Sequence, residues 1–284
     1  MQPGNREWEP LAFVETNPRQ DTFVQLALAD GLSMRLLSVR CQEAVEENLP
    51  CQDYALAVVE QDRSRLAFCV CDGVGGSYKG DYAASYLSHC LVEWLLDLPD
   101  LRVQTADLAQ ALEFKLHSWA EQGHEDLQRE PLPANISALL RHVLEEQRNT
   151  FGSETVFFAG RIDYGPSLQQ KPQNRQALFC WMGNIAAQIF VTPAKSTLLG
   201  DSSQLDSDRN RWSTRQGPLG MLGASTINFE MVERLIVSTD GLATISSELA
   251  SLDDEMLEIK IEELSRLPAN DDMTLLDVQW QAIR

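Results

Sequence analysis

The chain lacks the features that mark several protein classes. No apolar run approaches the roughly 20 residues of a membrane-spanning helix. The opening MQPGNREWEPLAFVE has neither the basic region nor the apolar core of an export signal, so we expect a cytoplasmic protein. Basic residues are scarce: 23 Lys and Arg stand against 42 Asp and Glu, for a net charge of −19. Such a surface repels phosphate backbones and anionic lipids, which argues against nucleic-acid and membrane partners.

The residue spacings of zinc sites are also missing. The four histidines share no H-x-x-x-H spacing, and the six cysteines include no C-x-x-C pair. Cys69 and Cys71 lie two apart in an apolar segment, which is typical of buried, reduced thiols on one face of a strand. A chain of 284 residues is long enough to bury a large core without disulfides.

Hydrophobic periodicity predicts strands first, then helices, then strands again with one more helix. Short runs rich in branched and aromatic residues predict strands at 32–40, 54–60, 65–71, 154–163, 175–183 and 186–192, twice within 227–241, and from 273 onward. Helical spacing occurs at 81–98, 106–121, 134–148 and 253–266. The polar connector QDRS predicts an antiparallel hairpin, and the irregular segment 200–218 is interpreted as a surface flap. This order indicates the α+β class, built on antiparallel sheets.

Four aspartates stand at the ends of predicted core strands. Asp72 follows LAFCVC, Asp240 follows RLIVST, Asp271 precedes the last strand, and Asp53 precedes YALAVV. A single Asp-Gly is more often a turn than a ligand. Four carboxylates at one sheet edge, however, would repel one another unless cations lay between them. Oxygen-only ligands favour Mg²⁺ or Mn²⁺, and two such ions can activate a water for attack on a phosphoryl group.

The glycine-rich segment GVGGSYKG does not fit two common nucleotide-binding motifs. A phosphate loop requires Ser or Thr after its lysine, but Lys79 is followed by Gly80. The dinucleotide pattern G-x-G-x-x-G requires a glycine where Tyr78 stands. Neither motif accounts for this segment.

Six segments, in order, resemble the metal-dependent protein phosphatases of the type 2C family, particularly bacterial members. They are CQDYALAVV, CVCDGVGGSYKGDYAA, SETVFFAGRID, FCWMGNIAAQIFV, LIVSTDGL and NDDMTLLDV, and they span roughly residues 32–280. The resemblance implies two central antiparallel β-sheets flanked by helices, an αββα sandwich. It also implies a single catalytic domain over 32–284, with 1–31 as an N-terminal extension.

The resemblance further implies hydrolysis of phosphoserine and phosphothreonine in proteins by a water that two Mg²⁺ or Mn²⁺ ions activate. The implied metal-binding residues are Asp53, Asp72, the carbonyl of Gly73, Asp240 and Asp271. The implied partner is a phosphorylated protein, either a Ser/Thr kinase or one of its targets.

The chain departs from the family pattern at several positions. Gln52 replaces the glutamate of the usual NED, and Val74 stands where eukaryotic members carry a histidine that protonates the leaving group. Asn184, Ile185 and Ala186 replace the usual Asp-Ser-Arg after a glycine.

The family's phosphate-binding arginine is missing between Arg40 and the first metal aspartate. Arg40, Arg211 and Arg215 are the candidates to replace it, because a guanidinium matches phosphate oxygens. An alternative hypothesis is a catalytically weak or inactive relative that binds a phosphoprotein or kinase as a regulatory module. Retention of all four aspartates favours the enzyme, whereas the asparagine at position 184 favours the regulatory module.

Overall fold

The computed structural model places the strands in two antiparallel sheets. It describes residues 10–28, 32–60, 65–99, 101, 104–163, 176–191, 195–199, 210–228, 232–268 and 270–280. The first sheet has the order β1-β4-β5-β6-β10-β11, with β7 also on β6 and β12 on β7. Its strands are β1 Pro10–Glu15, β4 Tyr54–Glu60, β5 Arg65–Gly73, β6 Glu154–Asp163, β7 Gln176–Met182, β10 Arg211–Ser213, β11 Gly217–Leu219 and β12 Gly223–Asn228.

The second sheet has the order β2-β3-β14-β13-β8-β9. Its strands are β2 Thr22–Leu28, β3 Leu32–Val39, β8 Ala186–Val191, β9 Lys195–Leu199, β13 Val232–Ser238 and β14 Met273–Trp280. The α-helices are α1 Gln42–Glu46, α2 Gly80–Asp97, α3 Thr105–Arg129, α4 Ala138–Thr150 and α5 Asp254–Ser265. Two 3₁₀ helices cover Asp240–Ile245 and Leu249–Ser251.

Alternating side chains sort the core into three apolar layers. Between the sheets, Phe68 and Phe158 of the first pack with Leu36 and Leu276 of the second. Neighbouring residues along the same strands point the other way, because successive side chains of a strand face opposite sides. On the outer side of the first sheet they pack against α2 and α3, and on the outer side of the second against α5 and the 3₁₀ helices. The predicted αββα sandwich is confirmed.

Most predicted elements are confirmed, including the antiparallel β4–β5 hairpin. The prediction of an irregular flap is wrong for its described part. Residues 200–209 lie outside the described residues, but β10 and β11 pair with each other, and β10 joins β6 in the first sheet. Strands of three residues are too short to show an alternating pattern.

The N-terminal residues contribute one strand to each sheet. β1 pairs with β4 in the first sheet, and β2 pairs with β3 in the second. The predicted boundary at residue 32 therefore falls between two paired strands. Among the described residues, no helix is long and apolar enough to span a membrane.

Candidate metal centre

Four of the five predicted metal-binding residues line one cavity where strands of both sheets end. The cavity has a volume of about 410 Å³. Asp72 and Gly73 reach it from the end of β5 in the first sheet, while Asp240 follows β13 and Asp271 precedes β14 in the second. Its other described lining residues are Val74, Gly75, Gly76, Phe151, Glu154, Val156, Asn184 and Arg211.

Gly73 is where the chain leaves β5 and folds back on itself. A Cβ atom on Gly73 would lie 2.5 Å from the carbonyl carbon of Gly80 and 2.9 Å from the carbonyl oxygen of Gln52. No side chain fits there, because the start of α2 packs directly on this backbone. Close packing therefore explains the glycine that follows Asp72. By contrast, a Cβ on Gly76 would meet nothing within 4 Å.

The second Asp-Gly pair shows the same kind of backbone contact. A Cβ atom on Gly241 would lie 2.1 Å from the carbonyl oxygen of Asp272. The Thr239 N–H donates to the carbonyl of Thr274 at 3.1 Å, which fixes the end of β13 beside the start of β14. Together these contacts bring Asp240 next to the Asp271–Asp272 pair.

Asp53 is buried among the other carboxylates. Its Oδ2 accepts a hydrogen bond from the Thr239 hydroxyl at 2.7 Å. Burial raises the pKa of Asp53 well above its usual range, and the nearby Asp72, Asp272 and Asp271 raise it further. The Thr239 hydrogen bond acts in the opposite direction, because it stabilises the charged form.

The pKa values of Asp72 and Asp271 are raised for the same reasons, burial and neighbouring carboxylates. The pKa of Asp72 is raised well above its usual range, first by burial and then by Asp240, Asp271 and Asp272. Partial desolvation also raises the pKa of Asp271, partly offset by its hydrogen bond from the Asp272 N–H, and Asp240 adds to the rise. The carboxylates thus lie close enough to repel one another, which is the arrangement that the sequence predicts at this edge.

Asp272 belongs to this cluster, although the sequence interpretation does not include it. It is buried, and its Oδ1 accepts from the Cys41 N–H at 2.8 Å, while its Oδ2 accepts from the Gln52 N–H at 2.7 Å. These two bonds close the segment that contains α1 and hold the chain just before Asp53. The sequence signal was the doubled aspartate in NDDMT, which does not tell which of the two carboxylates faces the cavity.

Asn184 occupies one of the positions that depart from the family pattern. Its Nδ2 donates to Asp240 Oδ2 at 3.0 Å. A neutral amide thus supports Asp240 directly, without adding a charge to the cluster.

Only one of the three candidate phosphate-binding arginines lines this cavity. The Arg211 Nε–H donates to Glu154 Oε2 at 2.7 Å. Burial raises the pKa of Glu154, and Arg211 lowers it in part. Arg40 forms an ion pair with Asp21, with Nε 3.5 Å from Oδ1. Arg215 lines a second cavity together with His117 and His124. Neither Arg40 nor Arg215 is among the described lining residues of the first cavity.

The donor chemistry of this cavity fits hard divalent cations. Its acidic groups are all oxygen donors, and their mutual repulsion would be relieved by positive charge. In the described part of the chain, no three His, Cys, Asp or Glu side chains are arranged to hold one ion by themselves. Mg²⁺ usually takes only one or two carboxylates and completes its shell with water and other oxygens. The carbonyl of Gly73 is one such oxygen.

Comparison with known proteins finds a family resemblance in part of the chain and a likeness of fold over most of it. The family profile described as Protein phosphatase 2C matches residues 40–156, which include Asp53, Asp72 and Gly73. Residues 40–156 thus resemble the protein phosphatase 2C family. No curated protein matches the chain significantly.

Solved structures similar to this chain have low sequence identity to it, and several of them are serine/threonine phosphatases. Serine/threonine phosphatase Stp1 from Staphylococcus aureus has a TM-score of 0.56 at 11% identity, covering 90% of this chain and 98% of that one. RsbX in complex with magnesium has a TM-score of 0.54 at 13% identity, covering 92% and 100%. The S. agalactiae serine/threonine phosphatase has a TM-score of 0.53 at 15% identity, covering 88% and 100%. At these identities the likeness concerns the fold.

Proposed function

We propose that this protein is a protein-serine/threonine phosphatase that depends on two Mg²⁺ or Mn²⁺ ions. The observation that carries the proposal is the cluster of aspartates that both sheets deliver to one open cavity, where they raise one another's pKa values. The family match over 40–156 supports the same reaction. No observation on the described residues favours a module that only binds phosphoproteins.

Asp53, Asp72, the Gly73 carbonyl, Asp240 and Asp271 would hold the ions. When bound, such ions activate a water and offset the charge of the phosphoryl oxygens. The protein's own contribution is to hold these oxygen donors in place: Thr239 orients Asp53, Asn184 orients Asp240, and the Asp272 N–H orients Asp271. Val74 carries no proton donor, so the departing serine or threonine oxygen takes its proton from water or another group.

The proposed substrate is a phosphoserine or phosphothreonine in a protein, with a Ser/Thr kinase or its targets as the partner. A cavity that opens to solvent suits a side chain presented by a protein surface. A cytoplasmic location is part of the proposal, because all six cysteines are free thiols, as is usual in a reducing compartment.

The test is metal-stimulated hydrolysis of p-nitrophenyl phosphate and of a phosphothreonine peptide. We expect activity with Mn²⁺ or Mg²⁺ that EDTA abolishes. Asp72→Asn and Asp240→Asn should each lower it by at least about a hundredfold, the upper range for disturbing a metal site from its outer shell. Calorimetric titration with Mn²⁺ should show weaker binding in both variants.

The matched control is Asp126→Asn, which changes an exposed carboxylate on α3 that is paired with Arg129. It should retain wild-type activity. If no divalent ion stimulates hydrolysis by the wild-type protein, the enzymatic proposal is wrong, and binding of the phosphopeptide without turnover would then favour the regulatory module.

A further inference from the structure

Helix α4 has an exposed apolar side. It buries none of its thirteen residues, and its side chains Leu140 and Val143 are 45% and 39% exposed. A helix of a globular protein normally turns its apolar side toward the core. A continuous apolar side that stays open to solvent instead indicates a surface on which a partner binds.

The exposed apolar side chains of α4 form one line along the helix. Spacings of three, four and four positions separate Leu140, Val143, Gln147 and Phe151. Residues at such spacings lie on the same side of an α-helix. The helical hydrogen bonding continues to Phe151, because its N–H donates to the carbonyl of Gln147 at 3.0 Å. We call these four residues the α4 stripe.

The α4 stripe ends in the cavity of the candidate metal centre. Phe151 lines that cavity together with Asp72, Asp240 and Asp271, and it is itself 44% exposed. At a rise of about 1.5 Å per residue, Leu140 lies about 16 Å along the helix from Phe151. An extended peptide spans that distance in about five residues, at about 3.3 Å each. The stripe is therefore long enough to contact a peptide up to about five positions from a residue held in the cavity.

Polar contacts hold the end of α4 that lies nearest the cavity. The Arg148 Nη1–H donates to the carbonyl of Glu130 at 3.1 Å, and its guanidinium carbon lies 6.0 Å from the centre of the Tyr78 ring. Asn149 Oδ1 accepts from the Gln128 amide at 3.0 Å. Because Arg148 and Asn149 are not members of the stripe, these contacts fix α4 while the apolar side chains of the stripe stay exposed.

The charge of α4 differs from that of the chain as a whole. With histidine counted as neutral, Arg141 and Arg148 balance Glu145 and Glu146, whereas the whole chain has a net charge of −19. An acidic surface repels an anionic phosphopeptide more strongly than a surface without net charge does. A phosphorylated segment therefore meets less repulsion when it approaches the cavity along α4.

We propose that the α4 stripe binds apolar side chains of the protein substrate, within about five residues of the phosphorylated serine or threonine. The inference rests on the proposed phosphatase function and adds a preference for the sequence of the substrate. A phosphoprotein continues on both sides of its phosphorylated residue, so the flanking chain lies on the surface around the cavity. The α4 stripe is an apolar part of that surface, and Phe151 joins it to the cavity.

The test compares phosphothreonine peptides on the full chain in saturating Mn²⁺. One peptide carries leucine at the third to fifth positions before the phosphothreonine, one carries leucine at the same positions after it, and a third has serine at all of them. For the wild type, KM should be lower for one leucine peptide than for the serine peptide, by about five- to thirtyfold. The reference substrate is p-nitrophenyl phosphate, which is too small to reach the stripe from the cavity.

The double variant Leu140→Gln, Val143→Thr should remove this preference. Its KM for the preferred leucine peptide should rise to that for the serine peptide, because the stripe loses apolar contacts. Both constants for p-nitrophenyl phosphate, kcat and KM, should stay within about twofold, since neither residue is among the described lining residues of the cavity. The melting temperature should change little, because both side chains are exposed.

The matched control is the double variant Met256→Gln, Ile259→Thr on α5. These two side chains have the same spacing and similar exposure, 45% and 43%, but α5 packs on the outer side of the second sheet. This variant should keep the wild-type preference for the leucine peptide.

Three results would overturn the proposal. The first is equal KM for the serine peptide and both leucine peptides in the wild type, and the second is an unchanged preference in the α4 variant. The third is a wild-type dimer in sedimentation that the α4 variant converts to a monomer without any leucine preference, because the stripe would then join two copies of this chain.

Failure of the proposed function is distinguished from failure of this inference. If the wild type hydrolyses neither the peptides nor p-nitrophenyl phosphate, the enzymatic proposal is wrong, and the fluorescence anisotropy of the labelled peptides makes the same comparison. Tighter binding of a leucine peptide to the wild type, lost in the α4 variant, would still support the docking surface. Equal binding of all the peptides would overturn it.

Discussion

At the scale of single residues, Asn184 shows how this site differs from its relatives. The family more often places an aspartate there, whereas this chain has an amide that donates to Asp240 at 3.0 Å. A carboxylate at position 184 would add to the repulsion among Asp72, Asp240 and Asp271. The amide instead donates a hydrogen bond to Asp240 and adds no charge to the cluster.

Asn184→Ala should therefore weaken Mn²⁺ binding by about ten- to hundredfold, as expected when a residue that orients a ligand is removed. Thermal stability should change little, because Asn184 is only partly buried. The control is Asn149→Ala, which removes a side-chain hydrogen bond of the same 3.0 Å length to Gln128, outside the cavity. Equal Mn²⁺ affinity in the wild type and Asn184→Ala, measured by calorimetry, would contradict this role.

The sequence predicts some residues of this cavity and not others, and the difference has a physical reason. The aspartates at strand ends were predictable because a hydrophobic run that stops on a carboxylate is visible along the chain. Glu154 and Asp272 were not predicted, since their surroundings come from β10, Cys41 and Gln52, which are distant in sequence. No local pattern announces such contacts.

At the scale of elements, the ends of strands are fixed by backbone packed against backbone. Gly241 follows β13 and contacts the carbonyl of Asp272, and Gly73 ends β5 against Gly80. These contacts set the spacing of the aspartates.

The order of strands and helices was predictable from periodicity. β1 and β2 were not predicted because they are edge strands with partly exposed apolar residues such as Phe13 and Phe23.

Gly241→Ala should be strongly destabilising, because its Cβ would lie 2.1 Å from a backbone oxygen that cannot move without shifting β14. We expect a loss of about 1–3 kcal/mol in the free energy of unfolding, the usual range for overpacking. Mn²⁺ binding should weaken together with stability. Gly76→Ala is the matched control, since its Cβ has nothing within 4 Å. Denaturant unfolding of both variants tests this, and equal stability would show that the contact is not tight.

At the scale of the whole molecule, the acidic cluster opposes folding when no cation is bound. The pKa values of Asp53 and Asp72 are raised in the folded protein, whereas in the unfolded chain an aspartate has a pKa of about 3.9. Between that pH and the raised values, the unfolded state binds fewer protons. Stability therefore falls as pH rises through this window.

Metal-free wild-type protein should accordingly gain more thermal stability than Asp72→Asn when the pH is lowered from about 7.5 to about 5.5. At neutral pH, Asp72→Asn should melt above the wild type in EDTA, by about 2–4 °C for each kcal/mol of repulsion removed. Mn²⁺ should raise the melting temperature of the wild type far more than that of the variant. Parallel pH profiles for the two proteins in thermal scans would contradict this account.

Two hydrogen bonds at the metal centre cross from one sheet to the other. Thr239, at the end of β13, donates to Asp53, which leads into β4, and Asp272, which leads into β14, accepts the amide hydrogen of Gln52 just before β4. These bonds connect the two sheets at the edge of the sandwich. The rate at which the Gln52 amide exchanges with deuterium therefore measures how often the two sheets separate at the edge where catalysis is proposed.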